Sequence, residues 1–263
     1  MNAWRRCLAA GVLLLALQPA WAGRSCEARL PDAWAVQRGL ELAERTEALL
    51  RASGARVVVL ARAGQDLSKY RLRWSHLGFA YRDGDAADAP WRVLHKLNDC
   101  GSAVADLHRQ GLGEFFLDDP YEFAGSVAVL APELQARLLP LLRDNRQAAR
   151  LHTAAYSLVA YPWAERYQQS NQWAIETLAL AADPAADTRG RAQAWLRLKG
   201  YEPTALRLSP LVRLGARIGS ANVAFDDHPD AKRFSDRIET VTADSVLQWL
   251  TRSALAQTPV VVR

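Results

Sequence analysis

The stretch from Trp74 to Leu97 constrains the fold most. Two runs, WSHLGFAYR and WRVLHKLN, are rich in aromatic and branched aliphatic residues. They flank a turn-forming segment of Asp, Gly, Ala and Pro. Such runs on either side of a turn predict a hairpin, with strands at Trp74–Tyr81 and Trp91–Leu97.

Helical and strand-like patterns alternate around this hairpin. Between Pro31 and Ala52, apolar residues recur every three to four positions, and Ser53-Gly54 closes that helix. The short run RVVVLA, Arg56–Ala61, reads as a buried strand. Helical spacing returns over Ser102–Gln110, and the loop GLGEFFLDDPYEFAG follows. A strand is expected at Ser126–Leu130 and a helix at Pro132–Arg143, where the proline suits the first turn. A further helical piece is expected at Asn145–Thr153 and a strand at Tyr156–Ala160. Helices follow at Ser170–Ala182 and Thr188–Lys199. The tail reads as a helix near Pro210–Ile218, a strand near Ala221–Phe225, and a helix over Ala243–Arg252 capped by Thr242. No internal repeat or low-complexity linker interrupts the chain. The expectation is one α+β domain over residues 23–263, with a helical C-terminal extension from about residue 183.

Residues 1–22 read as a signal peptide. Arg5 and Arg6 form a basic start, LAAGVLLLAL an apolar core, and Ala20-Trp21-Ala22 a small-x-small cleavage site. The apolar stretch is too short to span a bilayer comfortably. The expectation is an exported protein, periplasmic in a Gram-negative bacterium and not integral to the membrane. The formal net charge of +5 includes both signal arginines. What is left is mild and dispersed, which argues against a nucleic-acid partner. Oligomeric state is not readable from these residues.

Removing that segment removes Cys7 and leaves Cys26 and Cys100. Two cysteines in an oxidising compartment most often pair, so a Cys26–Cys100 disulfide is expected. The alternative is a nucleophilic Cys100 at a helix start near Asp99.

Alternation along the hairpin puts His76 with Trp74, Gly78 and Ala80, and His95 with Trp91, Val93 and Leu97. Paired strands with matching faces would point both imidazoles to one side. Gly78 and Ala80 keep that face shallow, so a helix could approach, and the helix opening at Ser170 is the candidate. There Ser170 would be a nucleophile, His76 its base and His95 the group that orients the ring. The unpaired N–H groups of the helix start would favour an oxyanion. Each residue also has a structural reading: Ser170 as an N-cap, the histidines as satisfied core groups.

These segments resemble the circularly permuted papain-like superfamily, which includes NlpC-type cell-wall peptidases and lecithin:retinol acyltransferase. Ser75-His76-Leu77-Gly78-Phe79 matches the histidine strand of permuted members. Val93-Leu94-His95 matches the next strand, with its second polar residue. Tyr167-Gln168-Gln169-Ser170-Asn171-Gln172-Trp173 resembles the nucleophile element. The likeness covers roughly residues 70–182, within an uncharacterised exported bacterial group. Two departures stand out: Ser170 occupies the cysteine position, and the tyrosine lies one residue farther away. The resemblance implies an antiparallel sheet packed on a nucleophile-bearing helix. It implies hydrolysis or acyl transfer at an amide or ester, in a cell-envelope peptide or lipid, without a cofactor. The rival class is a non-catalytic periplasmic binding module with a degenerate site.

Other candidates are weaker. Asp226-Asp227-His228-Pro229-Asp230 could hold a divalent ion or form a solvated turn. His108 and His152 lie in stretches expected to be helical. No zinc, phosphate-binding or CxxC motif is present, so no metal ligand is assigned. Tyr161, Trp163, Tyr167 and Trp173 flank Ser170 and could line a cleft or pack the core.

Overall fold

The strand β1, Val57–Ala63, is buried at every position. A strand with no solvated face needs a layer on each side. In the computed structural model, which describes residues 30–86, 88–118 and 120–263, helices supply both layers. The signal segment and Cys26 lie outside the described residues.

The chain starts with α1 (Ala33–Ala52), capped by the Asp32 carboxylate, which accepts from the Ala35 N–H. After β1 come β2 (His76–Arg82), β3 (Trp91–Asn98) and β4 (Ala105–Gly111). Then follow α2 (Leu112–Leu117), β5 (Glu122–Val129), α3 (Pro132–Arg143) and the short α4 (Asn145–Ala148). A long loop leads to α5 (Ser170–Ala182) and α6 (Arg189–Leu198). The remainder holds β6 (Thr204–Arg207), α7 (Pro210–Gly219), α8 (Asp230–Arg233), β7 (Arg237–Thr240), α9 (Ala243–Arg252) and β8 (Val260–Val262).

Six strands form one antiparallel sheet in the order β4-β3-β2-β1-β5-β8. Alternation sorts its side chains. Val58, Leu60, Ala80 and Val93 join Leu42 and Leu50 of α1 and Phe115 and Phe116 of α2 in one core. Val57, Val59, Leu77, Phe79 and Leu94 join Leu138 of α3, Trp173 and Leu178 of α5 and Trp249 of α9 in the other. Helix α5 is buried from Ser170 to Ala181, its polar side chains included.

The α+β class, the hairpin and the sheet-packed helix at Ser170 are present. Four local expectations are corrected. Residues 102–110 are not helical: β4 runs along β3, with His95 opposite His108. The expected loop at 111–125 contains α2 and the start of β5. Tyr156–Ala160 and Ala221–Phe225 form no strands. The C-terminal region is more than helical, because β6 pairs β7 and β8 extends the main sheet.

Candidate functional site

His76 opens β2, and His95 sits on β3 with its side chain on the same face. Their approach depends on Gly78. A Cβ there would lie 2.7 Å from His95 Cβ and 2.9 Å from the Leu94 carbonyl oxygen. Only a residue without a side chain lets His95 lean across β2. The result is a direct bond: His76 Nε2 to His95 Nδ1 is 2.8 Å.

The chain of bonds continues, and its chemistry fixes its direction. His95 Nε2 lies 2.8 Å from Gln110 Oε1, and Gln110 Nε2 donates to Glu114 Oε1 at 3.1 Å. A carboxylate only accepts, so the Gln110 amide nitrogen faces Glu114 and its oxygen faces His95. The oxygen takes the His95 Nε2 proton. His95 Nδ1 is then an acceptor and takes the His76 Nε2 proton. The lone pair of His76 Nδ1 is left at the end of the relay.

Both rings are held neutral. Burial drives the His76 imidazolium well below its usual range, with Arg62 and then His95 adding to the effect. Burial and Arg62 push His95 down to about 3. Arg62 is itself anchored, donating to the Phe115 carbonyl and pairing with Asp118. Its guanidinium carbon sits 4.9 Å over the Phe115 ring, and that ring packs 5.3 Å from His95 and 6.1 Å from His76.

The helix expected against this face is not the one found there. α2 covers the Gly78 and Ala80 side, and α5 packs on the opposite side with Leu77 and Phe79. The reason is alternation combined with a short helix directly after β4, α2, that sequence patterning did not reveal. The start of α5 still reaches the same strand end. The β2–β3 ladder begins at Phe79↔Leu94, and the Leu77 N–H goes instead to Asn171 Oδ1 at 3.1 Å. The side chain next to Ser170 on α5 thus bonds the residue that follows His76. Ser170 is not the N-cap. Gln169 caps, with its Oε1 accepting from the Asn171 N–H at 3.1 Å. Ser170 is buried and lies close to the Tyr156 hydroxyl, where it partly offsets the burial that raises that phenol. Among the described residues, no hydrogen bond joins it to either imidazole.

A second buried polar network holds the loop before α5 in place. Glu176 is fully buried and takes Arg189 Nε at 2.8 Å, Gln193 Nε2 at 2.8 Å and Gln168 Nε2 at 2.6 Å. Gln168 Oε1 in turn accepts from Lys96 Nζ at 2.9 Å. Burial and the nearby Arg189 lower the Lys96 ammonium to about 7. This network fixes the residues immediately before Ser170 on the helix that carries it.

The other sequence candidates are placed as follows. His228 is buried, with Nδ1 2.9 Å from Asp227 Oδ1 and Nε2 3.0 Å from the Glu239 carbonyl. Both ring nitrogens are thus engaged within the protein. Among the described residues, no group of three or more His, Cys, Asp or Glu could hold a metal ion. His108 lies on β4, and His152 Nε2 bonds the Ala105 carbonyl at 2.9 Å. Trp173 packs the core against Phe79, and Trp163 stacks edge-on with Tyr201. Cys100 lies in the turn between β3 and β4. Gln110, Glu114, Arg62 and Phe115 were missed as site residues. The signal for Gln110 was alternation on a strand that pairs with His95.

A family model described as an uncharacterized protein conserved in bacteria, DUF2145, matches residues 49–250. No curated protein and no solved structure matches the chain.

Proposed function

This chain belongs to the DUF2145 family of bacterial proteins, and we propose that it is an exported, papain-like hydrolase or acyltransferase acting on an amide or ester. The observation that carries the reading is the directed relay Gln110–His95–His76. Base and orienter are bonded at 2.8 Å, and the tautomers leave a lone pair on His76 Nδ1. In the proposed reaction Ser170 Oγ attacks the acyl carbon, and its proton passes to His76 Nδ1. His76 then protonates the leaving amine or alkoxide. Water or a second acceptor releases the acyl group by the same steps. The basicity of His76, lowered by burial and then by Arg62, opposes the imidazolium, and the oxyanion formed beside it would offset that cost. A cell-envelope peptide or lipid is the substrate class, in keeping with export to the periplasm. Removal of residues 1–22 and a Cys26–Cys100 bridge belong to the same proposal.

One observation favours a second reading, a binding module with a degenerate site. Among the described residues no hydrogen bond joins Ser170 to an imidazole, and burial makes His76 hard to protonate. Covalent labelling separates the two. Ser170→Cys should react with iodoacetamide faster than a generic thiol, because a helix start and a neighbouring base favour the thiolate. The excess should vanish in the Ser170→Cys, His76→Ala double variant. A labelling rate at position 170 equal to that of an ordinary thiol in both variants supports the binding module instead.

A further inference from the structure

The two edges of the main sheet are built differently. β4 is the edge at one end, and it is guarded. The 152–155 segment lies against its start: the Ala105 N–H bonds the Ala154 carbonyl, and His152 Nε2 bonds the Ala105 carbonyl at 2.9 Å. Asp106, His108 and Arg109 supply polar side chains along the rest. Covering and charge are how sheets avoid stray pairing. β8 is the edge at the other end, and it reads Val-Val-Val. Among the described residues, β5 is its only pairing partner. Val260 and Val261 are 49 and 43 % exposed.

Alternation gives this bare edge two sides. Val261 stands opposite Ser126 and shares its face. Both line a groove of about 520 Å³ between the sheet edge and α9. Its lining includes the buried Trp74 and Leu247 and, nearer solvent, Asp244 and Gln248. The groove falls in the size range of ligand pockets, roughly 300–1,000 Å³. Val260 and Val262 turn the other way. On that side Val262 and Phe123 pack on the α1 core, and Trp34 meets Phe123 edge-on at 5.4 Å.

We propose that β8 takes up an extended peptide segment of another protein as a seventh strand of the sheet, with a peptide side chain seated in the groove against α9. An open strand edge presents main-chain donors and acceptors at strand spacing, and a second strand meets them in order. The groove adds selection, because Trp74 and Leu247 favour an apolar side chain there. The next peptide residue points to the α1 side. A second copy of this chain fits less well. The strand it would bring is β8 itself, three residues long and preceded by Pro259, which has no N–H to give. The proposal is independent of the histidine relay.

Peptide selection on the full chain tests this. A phage-displayed library of random peptides, panned on the protein, should enrich sequences with apolar residues at alternate positions. A synthetic copy of the most enriched peptide is then the probe. It should slow amide exchange over 260–262 several-fold. Val261→Lys guards the edge with a charge, and Gln248→Trp fills the groove from α9. Both residues are exposed enough for the fold to survive, as an unchanged circular dichroism spectrum would show. Each variant should weaken the peptide at least several-fold. N-methylation of alternate peptide amides should do the same in one of its two phases, with the protein untouched. No enrichment overturns the proposal. So does a peptide that binds both variants as well as the parent, tolerates N-methylation in either phase, or protects another segment instead. Protection of 260–262 that follows protein concentration without peptide assigns the edge to a second copy, which also overturns it.

Discussion

Gly78 and His95 are in contact across the β2–β3 ladder, so close that a single added methyl at Gly78 would fall 2.7 Å from His95 Cβ. The missing side chain is what allows one imidazole to reach the other. The two-residue spacing of His76 and Gly78 along one strand face is therefore a working part of the site.

Gly78→Ala should accordingly do two things. Overpacking against backbone should cost about 1–3 kcal/mol of stability, read as a lower urea midpoint. Displacement of His95 should break the 2.8 Å bond to His76. A Gly78→Ala protein as stable as the parent, with the histidine ring signals unmoved, would show that the contact is slack.

Acid should destabilise the fold in a window set by the histidines. The folded state holds His95 down to about 3, and His76 is also lowered, whereas an unfolded histidine titrates near 6.5. Below roughly pH 6.5 the unfolded chain takes up protons that the folded one refuses, so stability falls as pH falls. The loss approaches about 1.4 kcal/mol per pH unit for each such group. Above pH 6.5 this contribution is flat. Urea unfolding at pH 7, 6 and 5 measures it, and His95→Gln should flatten the slope. Equal slopes in parent and variant would contradict the assignment.

Glu176 ties three side chains to the helix that carries Ser170. Glu176→Ala leaves the Arg189 guanidinium buried without its charge partner, which costs roughly 3–5 kcal/mol. Thermal melts should show the drop. Protease cleavage in the 151–169 loop should accelerate with it, because Gln168 and Arg189 pin that loop. Unchanged cleavage would mean that the loop is held by other contacts.

Much of this was legible in the residues. α5 runs from Ser170 to Ala182 as expected, because apolar residues at helical spacing, with no Gly or Pro among them, follow a run of amide side chains. The hairpin and its shared histidine face were also legible, since alternation and a turn are local signals. What sequence missed was non-local. Ala103, Val104 and Leu107 fall at spacings that also suit a helix, and only pairing with β3 makes 105–111 a strand. That error hid Gln110, the residue that sets the tautomers. β6 and β7 are four residues each and pair across some thirty intervening positions, too short to announce themselves. Ser170 looked like a cap because serine usually is one, whereas the amide of Gln169 takes that role here.

Ring tautomers report most directly on the directed relay from Gln110 to His76, on which the proposed chemistry rests. Long-range ¹H–¹⁵N correlation spectra distinguish a protonated from an unprotonated nitrogen in each imidazole. At pH 7, His76 and His95 should both be neutral, each with its proton on Nε2 and its Nδ1 at an acceptor shift. Gln110→Leu should remove the acceptor at His95 Nε2 and disturb both patterns. A proton on Nδ1 of either ring, or an imidazolium signature at pH 7, would contradict the account.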